Sequence, residues 1–155
     1  MLKPKSLRKA LYDAVPKLRA NPDMLRIFID SGVIGATLAA SLSFENRYTL
    51  NVIVEDYPDD VDLLLVPIGA WLRENQPDIM TTDEGKKKGF TYFADINSDD
   101  SYDISISLQL TERTLVKEVD RALHVSHVPE PPLPEPVARP MELYINGELV
   151  SAWDE

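Results

Sequence analysis

The chain has 155 residues, 44% of them apolar and 27% charged. That is the balance and about the length of one ordinary globular domain, which excludes disordered, collagen-like and fibrous classes for its bulk. With no cysteine it cannot form disulfides, thiolate metal sites, iron–sulfur clusters or a cysteine nucleophile, and a net charge of −10 argues against sequence-independent binding to nucleic acid.

The charge is unevenly placed. Residues 1–26 hold seven basic groups (Lys3, Lys5, Arg8, Lys9, Lys17, Arg19, Arg26) against Asp13 and Asp23, and the remainder is strongly acidic. A chain polarised in this way can dock head to tail on copies of itself, through basic residues such as Arg8, Lys9 and Arg19. The alternative reading of the same residues is a solvated helix face. No apolar stretch of about 7–15 residues follows this basic start, and none approaches roughly 18 uninterrupted residues, so the expectation is a soluble chain with no signal peptide and no membrane span.

Leu7, Leu11, Val15 and Leu18 recur at helical spacing, which predicts an amphipathic helix over about 5–20 with Ser6 as N-cap and a kink or early end at Pro16. Asn21-Pro22-Asp23 is a turn signal. Met24–Asp30 reads as a strand closed by Ser31-Gly32, with Val33–Leu38 as a candidate hairpin partner. Leu42, Phe44, Tyr48, Leu50, Val52 and Val54 share one parity of a long strand over 41–55, with a bend or bulge expected near Asn46. An acidic turn at 56–62 leads into a helix over about 60–75, where Leu64, Ile68, Trp71 and Leu72 share a face and Pro67 implies a kink. Residues 78–89 read as an exposed loop. Phe90–Ile96 and the alternation Ile104, Ile106, Leu108, Leu110 then form the clearest antiparallel hairpin of the chain.

Six of the twelve prolines lie between Pro129 and Pro140, which favours an extended, semi-rigid connection. Beyond it, Glu142–Val150 is a hairpin pattern turning at Asn146-Gly147, with Trp153 just past it. An isolated hairpin is marginal in water, so this one should dock, either on a neighbouring subunit's sheet or back on its own domain. The organisation expected is an α+β domain over 1–127, a Pro-rich linker over 128–140 and a C-terminal β-hairpin arm over 141–155. The fold class is a mostly antiparallel twisted sheet flanked by two main helices.

Catalytic signals are weak. His124 and His127 are the only histidines; they would share a face only if helical, and no carboxylate at ligand spacing accompanies them, so no metal and no cofactor is expected. The aspartates of 56–62 and 95–103 miss the calcium-loop spacing and read as solvated turns, and Lys86-Lys87-Lys88 reads as a solvated loop. There is no P-loop, no G-x-G-x-x-G, no G-x-S-x-G and no H-E-x-x-H. The expectation is that the chain is not an enzyme.

The strings MLKPKSLRKAL, NPDMLRIFIDSG, TLAASLSFENRYTLNVIV, PIGAWLRENQPDIMTTDEG, DISISLQLTERTLV and RPMELYINGELV resemble the tail completion protein R family of Peduovirus-type contractile-tailed temperate phages. The similarity runs from Met1 to the C-terminus. It implies a late structural protein that completes the tail for joining to a DNA-filled head. In role it implies a tail terminator: a small α+β protein forming a hexameric ring on the head-proximal end of the tail tube. The implied partners are further copies of the chain, the tube protein and neck or other completion proteins. No sequence-specific nucleic acid binding or membrane is implied, and DNA at most passes through the ring. The implied location is the virion tail, or the host cytoplasm during assembly. In such a ring the C-terminal arm is expected to reach the next subunit through Leu143, Ile145, Leu149, Val150 and Trp153. The alternatives are a neck adaptor or assembly factor that does not stop tube growth and, in a different class, an acidic DNA mimic.

Overall fold

Helix α1 spans Lys3–Ala14 and a second short helix, α2, spans Pro16–Ala20. Val15 between them is extended, the backbone that a residue before proline prefers, and Pro16 starts α2 where its missing N–H costs nothing. Ser6 is not the N-cap. It lies inside α1, and its hydroxyl accepts a hydrogen bond from Trp71 Nε1 at 2.9 Å. A tight turn at Pro22–Met24 leads into β1, Leu25–Gly35. The structure, a computed structural model, describes residues 1–36, 41–131 and 141–153.

Strand β1 pairs antiparallel with β2, Phe44–Tyr57. Val33–Gly35 are therefore not the hairpin partner of 24–30 but its continuation, joined through a bulge between Ile29 and Ser31; Ala36 follows the strand, and residues 37 and 38 of the expected run lie outside the described residues. The bulge shifts the parity. Leu25, Ile27 and Ile29 sit across from the inward-facing Val54, Val52 and Leu50, and beyond it Gly32 and Ile34 take that side. β2 holds register with β4 straight through Asn46, so no bulge lies there. The irregularity falls instead between Val54 and Tyr57, where Asp56 adopts a left-handed φ of 54°.

Helix α3, Asp62–Asn75, runs unbroken through Pro67 and buries Leu64, Ile68, Trp71 and Leu72. Residues 78–89 are more ordered than the expected exposed loop. Asp78–Thr81 form a helical turn, α4, that buries Ile79, and Gly85–Gly89 form one wide turn. A Cβ at Gly85 would lie 2.6 Å from the Asp78 carbonyl oxygen and 2.7 Å from Ile79 Cα, so this close backbone approach requires glycine.

Strands β3, Phe90–Ile96, and β4, Tyr102–Val119, pair from Phe90↔Leu108 to Ile96↔Tyr102. β4 continues well past the alternating segment and turns back through Asp120 and Arg121, both left-handed, into β5, Ala122–Val128. The sheet order is β1-β2-β4-β3, with β5 further along the same β4 edge as β3. α1, α2 and α3 cover one face. There Leu7, Leu11, Leu18, Leu64, Ile68 and Leu72 meet Leu50, Val52, Val54, Ile104, Ile106, Leu108 and Leu110 in one core.

β6, Glu142–Ile145, and β7, Glu148–Ala152, form a separate hairpin. Asn146 and Gly147 carry the positive φ values that a tight two-residue turn demands. The Pro-rich stretch 132–140 lies outside the described residues.

Candidate assembly surfaces

Between Leu108, where β3 begins to pair, and Arg113, where β5 takes over, the edge of β4 has no strand beside it among the described residues. Side chains close that gap. Gln76 Oε1 accepts the Thr111 N–H at 3.0 Å, and Lys3 Nζ donates to the Thr111 carbonyl at 2.6 Å and to Gln76 Oε1 at 2.6 Å. Lys3 is buried and also forms an ion pair with Glu130 at 2.8 Å, at the start of the Pro-rich segment. The neighbouring Glu112 turns to the helical side. One of its oxygens accepts the backbone N–H of Leu2 at 2.7 Å and of Lys3 at 3.3 Å, and the other accepts the Tyr48 hydroxyl at 2.7 Å. α1 has no N-cap from its own side chains; a carboxylate on β4 supplies one and meets the positive end of the helix dipole.

The two ends of the sheet differ in chemistry. At one end the β2–α3 connection brings Asp56, Asp59, Asp60 and Asp62 to the β3–β4 turn, which carries Asp95, Asp99, Asp100 and Asp103. The Asp56 N–H donates to Asp103 Oδ1 at 2.9 Å and ties the two loops together. Hydrogen bonds from the Ser101 hydroxyl and N–H hold the Asp99 carboxyl below its ordinary range. The opposite end mixes apolar side chains with a charged tip, the exposed Lys117, Glu118, Asp120 and Arg121 around the β4–β5 turn. Beyond the helices, Val33, Ile34, Leu42, Leu123 and Val125 stand in solvent, each more than half exposed.

The C-terminal hairpin folds back on its own domain. Leu143 and Ser151 are buried, Trp153 packs on the core, and the Ser151 hydroxyl donates to the Ala14 carbonyl where α1 ends. Of the other anchors expected for the arm, Ile145 is half-buried while Leu149 and Val150 are exposed. Beside the seat, a surface pocket of about 210 Å³ opens among Ala14, Lys17, Tyr57, Leu63 and Val150. Arg8, Lys9 and Arg19 are all exposed on the helical side. Lys9 pairs with Asp13 at 2.5 Å, and Arg19 donates to the Asp13 carbonyl at 3.1 Å.

A cleft of about 620 Å³ opens beside the β4 gap and is lined by Glu45, Arg47, Gln76, Asp78, Glu84 and Lys88 among others. His124 and His127 lie on β5, both exposed, and their spacing of three puts them on opposite faces of a strand. Among the described residues no three His, Cys, Asp or Glu side chains are grouped to hold a metal ion, and no helix is long and apolar enough to cross a membrane.

The geometry thus brings together surfaces: an acidic end, an opposite end of exposed apolar strands with a charged tip, and a C-terminal hairpin seated on the core. This is the build of a protein that works by assembling with others, and comparison with known proteins places it among phage tail completion proteins. The family described as P2 phage tail completion protein R (GpR) matches residues 1–131, and the tail completion protein R of Escherichia phage P2 is 76% identical over 155 residues, the full length of both chains. The chain belongs to this family. No solved structure matches it.

The tyrosines that border these surfaces make a testable contrast. Tyr48 is held far above its ordinary pKa by burial, then by its hydrogen bond to Glu112 and that carboxylate's charge; Tyr57 is raised by burial and then by Asp59 and Asp60. Tyr57 Oη is buried with no partner among the described residues. Tyr48→Phe, which strips a donor from Glu112, is expected to lower stability by about 1–2 kcal/mol, whereas Tyr57→Phe leaves it unchanged or raises it by up to ~1 kcal/mol. Both hydroxyls are favoured neutral in the fold, so their contribution is complete below about pH 10 and is lost as pH rises above it. Urea unfolding at pH 8 and pH 11 checks the contrast, and each variant should lose less stability between the two than the parent does.

Proposed function

We propose that this chain is a tail terminator, a structural and non-catalytic component that caps the head-proximal end of the tail tube as a hexameric ring. It stops tube growth there and presents a surface on which the DNA-filled head is joined. The observation that carries this reading is the difference between the two ends of the subunit's sheet, one gathering aspartates from two connections and the other carrying exposed apolar strands with a mixed-charge tip. A cap at a junction needs two unlike ends, one for the tube and one for the neck, and it needs side surfaces that meet heterologously and close by rotation. The exposed Arg8, Lys9 and Arg19 supply one sign of charge for such side-to-side contact, and the acidic remainder of the chain supplies the other.

In this reading the arm changes partner. The contacts that Leu143, Ser151 and Trp153 make with their own domain in the free chain are made with the next subunit in the ring, and Ile145, Leu149 and Val150 complete the contact. Two features support the exchange. The seat in the single chain leaves a surface pocket beside it and exposed apolar side chains, and the twelve residues between Val128 and Met141 can span up to about 40 Å when extended.

Electron microscopy of lysates from a phage lacking this chain tests the function. Overlong or unstable tails separate from full heads are expected. Tails of normal length that fail to join heads would overturn the terminator reading and assign the chain to a neck adaptor.

A further inference from the structure

Alternation along β4 fixes which backbone groups of the sheet are unpaired. The Thr111 N–H and C=O face away from β2 toward Gln76 and Lys3, while the Val116 N–H faces the other way, donating to Ser43 Oγ at 2.9 Å. Odd residues of β4 therefore bond β5, through Arg113↔Val128, Leu115↔Ser126, Lys117↔His124 and Val119↔Ala122. The N–H and C=O groups of Leu123, Val125 and His127 consequently point outward along an edge that has no strand beside it among the described residues. By the same alternation carried through β2, Gly32 and Ile34 point outward on the opposite edge of the sheet.

Both edges lack the usual protection. Free strands are ordinarily guarded by charge, proline or a bulge, yet Ala122–Val128 contains no Asp, Glu, Lys, Arg or Pro and every residue of it is exposed. Ser31–Gly35 is likewise uncharged and exposed, beyond the bulge at Asp30 that guards the inner part of β1. The side chains that flank these edges are apolar: Val33 is 67% exposed, Ile34 54%, Leu123 59% and Val125 62%.

We propose that β5 of one copy pairs antiparallel with the outer part of β1 of the next copy, which makes the sheet continuous around the ring. This rests on the ring reading above and names the surface through which that ring closes. β1 runs from the acidic end toward the opposite end and β5 runs back, so copies related by rotation about an axis near the strand direction present the two edges in antiparallel sense. The contact is heterologous and repeats until it closes. β5 sits further out along the sheet than 31–35, a stagger that a closed ring takes up by tilting its strands. A strand pairing of this length falls short of the roughly 1,200 Å² that a stable interface needs. Single contacts are therefore weak, and closure, which gives every copy two of them alongside the exchanged arm, stabilises the ring.

The chain has no cysteine, so Ile34→Cys with Val125→Cys is a clean reporter. Within one copy these positions are three strand spacings apart and four residues offset along the strands, about 20 Å in all, too far for a disulfide. Tails made in cells where the double-cysteine chain replaces the parent are oxidised and run on a non-reducing gel. A ladder of multiples of the monomer is expected, with neither single variant passing the dimer. Tails of normal length joined to heads, with the chain monomeric on the gel, would overturn the pairing and leave the terminator reading standing. A ladder in a phage whose tail length does not depend on this chain would do the opposite. As a second variant, Val125→Pro removes an outward N–H and no bond to β4. It should keep the circular dichroism and thermal transition of the parent but be missing from purified tails, and its incorporation at the parental level would also overturn the proposal.

Discussion

A sheet edge must end in hydrogen bonds to something, and in this chain the middle of β4 ends in two side chains. Lys3 and Gln76 satisfy Thr111 where neither β3 nor β5 reaches, and Glu112, one residue on, holds the N-terminus of α1. Three separate parts of the chain meet there: the start of α1, the end of α3 and the beginning of the Pro-rich segment through Glu130. Removing the Lys3 amine would leave a part-buried carbonyl without its donor and Glu130 without its partner, and together such losses cost on the order of 1 kcal/mol or more. The cluster also marks a boundary. On one side of it the sheet carries helices and a core, and on the other it runs on as bare strands.

That boundary gives the molecule its polarity. The helix-covered part ends in eight aspartates gathered from two connections, and the bare part exposes valine, leucine and isoleucine below a tip of mixed charge at Lys117, Glu118, Asp120 and Arg121. An apolar extension without a core of its own gains little from folding alone, since a two-stranded ribbon is marginal in water. Its stability must come from what it meets. Under the proposed function this is an advantage, because a cap that orders fully only against neighbours forms its ring where copies are held together, and the exchange of the C-terminal hairpin works in the same direction. Membership of the tail completion protein R family fits a subunit whose chemistry lies in its surfaces.

The parts legible in the sequence are those where burial enforces a period. Ile104, Ile106, Leu108 and Leu110 alternate because helices cover one face of β4, and Leu64, Ile68, Trp71 and Leu72 recur because α3 lies on that same face. The period fades where the cover ends. Residues 111–119 read Thr-Glu-Arg-Thr-Leu-Val-Lys-Glu-Val: Glu112 and Thr114 keep the buried parity with polar side chains, and past Val116 every side chain is exposed, so no apolar alternation marks the strand and neither the length of β4 nor the existence of β5 was legible. β1 misled for a different reason: the bulge at Asp30 and the Ser31-Gly32 pair look like a turn between two strands. Ile79 alone could not show that 78–89 folds onto the body. Lys3 and Glu112 were invisible as a pair because they are 109 residues apart, and a lysine near a basic helix start reads as solvent-facing. The surfaces that carry the proposals are therefore mostly those the sequence pattern left blank.

Amide hydrogen exchange, compared between the free chain and the chain in assembled tails, tests the central claim most directly. The account predicts that Thr111 and the first turn of α1 are protected in both states, because side chains close the β4 gap within one copy. It also predicts that residues 122–128 and 31–35 exchange fast in the free chain and become protected in the tail. Equal exchange of those two edges before and after assembly, or a Thr111 amide that exchanges as fast as β5 in the free chain, would contradict it.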